Sequence, residues 1–155
     1  MDMQAILKAG GIGAAVVIVL NLFGLIPCVG CITFILVILA YVGVGILAAL
    51  WMTPPRTAGS GATNGAVAAV VTALIAGLIN IVVMAIYGAV TGASQLAQLP
   101  PEQLQLLTEA GIDPAMLVGP MASAGIGAFC CMIYLFIGAA LGAAGGAIWG
   151  ITHPN

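Results

Sequence analysis

Apolar residues run almost unbroken through four stretches of the chain, at residues 6–26, 31–52, 65–87 and 128–150. Each is about 20 residues or longer, which is what an α-helix needs to cross a hydrocarbon core of roughly 30 Å. The pattern predicts an all-α fold, an integral membrane four-helix bundle. Pro27-Cys28-Val29-Gly30 separates the first two runs by a turn so short that their helices must be antiparallel neighbours. After Met52, the Pro-, Gly- and Ser-rich segment 53–61 reads as a breaker. The expected organisation is therefore a first transmembrane hairpin at 1–52, a linker at 53–64 and a second hairpin at 65–155.

The second hairpin contains the longest polar interval, residues 92–127, which holds Glu102, Glu109 and Asp113. Pro100-Pro101-Glu102 has the form of a helix start, with proline at the first position and an acid in the first turn. Ala110-Gly111-Ile112 has the form of a glycine stop with a trailing apolar residue. Leu104 and Leu107 fall on one face between them, so a short amphipathic helix is expected to lie on the membrane surface or on a neighbouring protein. Asp113-Pro114 reads as the start of one further turn, closed at Gly119-Pro120.

Composition strengthens the membrane reading: 63% of the 155 residues are apolar and 4% are charged, with a mean hydropathy of +1.29. A soluble surface uses roughly 25% charged residues. The formal net charge is −2, with Lys8 and Arg56 the only permanent cations; no basic patch exists to neutralise phosphates, and nucleic acid is excluded as a partner. Those two cations share one side of the expected bundle, which places both termini in the cytoplasm and 92–127 outside, in a cell (inner) membrane. Trp51 and Trp149 at one end, with Tyr87 at the other, fit interfacial aromatic belts. The first run follows Lys8 like a signal sequence, and Val29-Gly30-Cys31 is similar to a lipoprotein cleavage site. Cys28, however, stands where that site needs an aliphatic residue, and the run is expected to be a retained span.

Gly138, Gly142, Gly146 and Gly150 recur every fourth residue and form one smooth helical stripe, a device for close packing of membrane helices. Gly65, Ala69, Ala73 and Gly77 repeat it more softly. The two stripes are expected either to pack against each other or to receive helices of a partner chain, as a hetero- or homo-oligomer. Cys31 to Trp51 and Cys131 to Trp149 also form a weak internal echo between the two hairpins.

No ionisable side chain falls inside an expected span, and such residues mark proton and ion pathways. The chain resembles small four-helix multidrug exporters in size but has no counterpart of their first-span carboxylate. Asn21 and Asn80 are expected to be the main buried polar side chains, serving interhelical hydrogen bonds. Cys28, Cys31, Cys130 and Cys131 gather near the external end. Vicinal cysteines are poor partners on one ion, and neither a metal nor a cofactor site is expected.

Pro27-Cys28-Val29-Gly30-Cys31-Ile32 resembles the redox motif of quinone-linked disulfide-generating membrane proteins, which also have four spans and a CxxC at the external start of the second. That family's arginine after the motif is replaced here by Phe34-Ile35-Leu36-Val37, and no cationic neighbour is present to stabilise a thiolate. More broadly, the chain is similar to small Gly-rich four-span bacterial and archaeal membrane proteins of unknown function, a resemblance that implies no activity. The expectation is a non-catalytic membrane protein, an accessory or structural subunit of a larger complex or a homo-oligomer, in contact with lipid and with other membrane-protein helices. A membrane thiol–disulfide oxidoreductase and a small pore or holin-like assembler are the alternatives.

Overall fold

The computed structural model describes residues 2–24, 30–113, 116 and 120–153, and helix is the regular structure found among them. Helix α1 spans Met3–Gly24, α2 Gly30–Leu50, α3 Ala58–Ala97, α4 Pro101–Glu109 and α5 Pro120–Thr152. All but α4 are long and apolar enough to cross a membrane. The side chains of Cys28 and Cys31, and residues 114–119 of the expected turn apart from Met116, lie outside the described residues.

Two compact units divide the chain, one comprising Met1–Ala76 and Cys131–Asn155, the other Gly77–Cys130. In the first, Asp2 at the start of α1 receives a hydrogen bond from the Thr53 amide just beyond α2 (3.3 Å). A Cβ on Gly24, at the far end of α1, would touch Thr33 near the start of α2, so α1 and α2 run antiparallel. Gly10 and Gly13 admit α3 against α1: a Cβ at Gly10 would lie 2.9 Å from Val71 Cγ1, and one at Gly13 would lie 2.6 Å from Thr72 Oγ1. The Thr72 hydroxyl, fully buried, donates to the Gly10 carbonyl at 3.1 Å and satisfies itself within this contact. Two apolar clusters complete the unit, one around Ile6, Ala9, Val44, Ala48 and Ala68, the other around Val17, Val37, Tyr41, Ala69, Ala73 and Ala76.

Helix α3 differs from the span read at 65–87. It starts at Ala58, inside the expected linker, and runs to Ala97. The early start has a local cause: Thr57 and Ser60 cap reciprocally, the Thr57 amide donating to Ser60 Oγ (2.9 Å) and the Ser60 amide to Thr57 Oγ1 (3.1 Å). This exchange occupies free amide groups of the first turn. Helix α5 likewise starts at Pro120 rather than 128, so the non-helical part of 92–127 shrinks from both ends.

In the second unit, α4 begins on Pro101 with Glu102 in the first turn. It ends on Gly111, whose φ of 72° is left-handed. The Gly111 amide donates to the Thr108 carbonyl (3.0 Å) and the Ile112 amide to that of Leu107 (2.9 Å), the paired bonds of a Schellman stop. Leu104 and Leu107 share the half-buried face. Substituting Gly111→Ala should cost about 1–2 kcal/mol of α4 stability, because a Cβ is disfavoured at that φ, while Gly111→Asn should cost less; amide exchange across 101–109 measures both. Among the described residues of this unit no apolar side chain is fully buried, and large ones such as Val82 (58%), Val90 (76%) and Phe129 (68%) are exposed.

Candidate functional site

The expected glycine stripe of α5 lies inside the first unit, against two helices. A Cβ at Gly142 would fall 2.5 Å from Ala69 Cβ and 2.6 Å from the Gly65 carbonyl oxygen of α3. One at Gly45 of α2 would collide with the Gly142 carbonyl, and one at Gly146 with the carbonyl of Gly61. Gly150 fits against Thr57, the residue that caps α3, and Gly145 against Val42 of α2. Gly138 provides room for Tyr41, whose Cε1 would be 2.7 Å from an added Cβ. Backbone therefore meets backbone along α2, α3 and α5, the geometry that small residues permit between membrane helices. Gly45 and Gly61 carry no stripe signal in the sequence: Gly61 falls in the segment that reads as a breaker, and Gly45 has no glycine at four-residue spacing. Gly77 falls within α3.

A polar cluster closes the end of the unit that carries the N-terminus. Asp2 caps α1: its Oδ1 accepts from the Ala5 amide at 3.3 Å, and Oδ2 accepts from Thr53. These backbone donors hold its carboxyl below the usual aspartate range, that of Ala5 first and that of Thr53 next. Its own amide donates to Asn64 Oδ1 at 3.2 Å. Asn64, 1% exposed, sends Nδ2 to the Ser60 carbonyl (2.9 Å) and to Met52 Sδ (2.8 Å). Arg56 closes α2, donating from Nε to the Met52 carbonyl (3.1 Å) and from Nη2 to that of Leu50 (2.9 Å), a favourable place for a cation at a helix C-terminus. Among the described residues, Thr33, Asn64 and Thr72 are the buried polar ones. Asn21 and Asn80, expected in that role, are half-buried. At the end of α5 the ring of Trp149 stacks on that of His153, just beyond the helix, at 3.9 Å and 13°.

Other candidate residues do not assemble. Glu102 and Glu109 are exposed on α4, and Asp113 is exposed beyond it. Cys130 and Cys131 are free, half-buried thiols, and the Cys131 thiol points to the Ala73 carbonyl at 3.9 Å. Among the described residues no three His, Cys, Asp or Glu side chains are grouped to hold a metal ion. Comparison with protein-family models, with curated proteins and with solved structures finds no match.

Proposed function

We propose that the chain is a non-catalytic integral membrane protein with cytoplasmic termini, acting as a structural or accessory subunit whose long helices are completed by partner helices. The observation that carries this reading is the exposed apolar surface of the second unit. Its helical segments belong to the candidate spans Ala58–Ser94 of α3 and Met121–Thr152 of α5, each longer than the roughly 20 residues that a crossing needs. Partner helices are the cover that the subunit reading assigns to that surface. Exposed Val82, Ile86, Val90 and Phe129, in a unit with no fully buried apolar side chain among its described residues, fit that demand.

Native electrophoresis of gently solubilised membranes, with mass spectrometry of the bands, tests the reading. Wild type should migrate as a complex well above the 15.4 kDa chain, and Val90→Asp should release it. Migration of wild type as a monomer, or no change with Val90→Asp, would overturn the subunit assignment.

A further inference from the structure

On one flank of the first unit, α1 and the segment after α2 enclose an open cleft of about 510 Å³ whose walls include Asp2, Gln4, Lys8, Ile12, Trp51 and Thr53. Gln4, Lys8 and Ile12 are spaced at four residues and all exposed, so they form one stripe of α1. Above Lys8 the wall is open, because a Cβ at Gly11 would meet nothing within 4 Å. The stripe continues past Ile12 (50% exposed) to Val16 (44%) and Val19 (51%). From the helix start inward, the order is carboxylate and amide, then ammonium, then open backbone, then an apolar track.

We propose that this cleft binds the headgroup of an aminophospholipid, with the lipid phosphate on Lys8, the lipid ammonium between Asp2 and the Trp51 ring, and an acyl chain along Ile12, Val16 and Val19. The order of groups along the cleft matches the order along such a lipid from amine to tail. Asp2, whose carboxylate accepts from the amides of Ala5, Thr53 and Gln4 and from the Thr53 hydroxyl, is held ionised and sets a negative charge in the cleft wall. Trp51, 38% exposed, supplies a ring face that attracts an ammonium ion. Lys8 reaches the interface from within the first turns of a spanning helix, where long cations lie. The size suits a headgroup, within the roughly 300–1,000 Å³ of small-molecule sites. Opposite charges at successive positions along the α1 wall favour a zwitterion bearing a primary amine over an anionic lipid that lacks one.

The proposal rests on the membrane reading above, and the test keeps the two apart. Protein extracted from alkali-washed membranes is exchanged into mixed micelles containing equal phosphatidylethanolamine and phosphatidylglycerol, and retained lipid is read by native mass spectrometry. Wild type should retain phosphatidylethanolamine roughly tenfold over phosphatidylglycerol, equivalent to about one charge-assisted hydrogen bond. Asp2→Asn should remove that preference while its amide oxygen keeps the α1 cap, with thermal stability checked alongside. Lys8→Gln should lower retention of both lipids, and Lys8→Arg should restore it. Equal retention of the two lipids by wild type, or a preference unchanged in Asp2→Asn, would overturn the cleft assignment alone. Release of the chain by the alkali wash would overturn the membrane reading and the assignment with it.

Discussion

Gly142→Ala is expected to destabilise the protein by about 1–3 kcal/mol, the usual cost of forcing one extra methyl into a packed interior, and Gly142→Leu to abolish the folded bundle. The added Cβ would meet the Ala69 methyl at 2.5 Å and the Gly65 carbonyl at 2.6 Å. Neither can yield without separating α5 from α3, and Gly45 of α2 presses on the same turn. Gly43→Ala is the matched control. It lies in the same bundle with nothing within 4 Å of its would-be Cβ, and removing a helical glycine should stabilise by up to about 1 kcal/mol. Thermal denaturation in mild detergent measures both, and equal melting of the two variants would contradict the backbone contact.

The second large effect is expected at Asn64. Asn64→Ala should cost about 1–3 kcal/mol, because the Ser60 carbonyl, the Asp2 amide and Met52 all lose a partner at a site that is 1% exposed. The loss should concentrate at one end of the bundle: amide exchange should rise at the start of α1 and after α2 while Thr72, bonded to Gly10, stays protected. Thr63→Ala, one residue away, removes only exposed bonds to Gly59 and Ser60 on its own helix and should shift stability by less than about 0.5 kcal/mol. A uniform loss of protection through all helices would show that Asn64 acts on the fold as a whole rather than as a clasp between segments.

Helix identity was legible in the chain because unbroken apolar runs of spanning length have few other solutions in lipid. The stop of α4 was legible too, since a left-handed residue followed by an apolar one leaves a local signature at Gly111-Ile112. Helix ends were less so. Gly59-Ser60-Gly61 looks like a breaker by composition, yet Thr57 and Ser60 cap each other and Gly61 is needed bare where Gly146 approaches. The same residue type that ends helices in water lets them touch in a bundle. Of the polar residues, Asn21 and Asn80 drew attention by lying in mid-span, whereas Asn64 lies in a segment that reads as linker. Its burial depends on Asp2, 62 positions away, and no local pattern encodes that. Gly45 is locally silent for the same reason: its partner is a carbonyl on α5.

That seam also sets an order on synthesis. Gly45, Gly61 and Gly65 leave the ribosome long before the Gly142 and Gly146 turns that fill the trench between them. At about 5–20 residues per second, the roughly 80 residues from Gly65 to Gly142 take about 4–16 s to appear. Throughout that interval α2 and α3 present an unfilled strip of bare backbone to whatever surrounds them. The nascent protein thus passes through a stage in which this strip is open, and the arrival of its last helix is what withdraws it from competing helices.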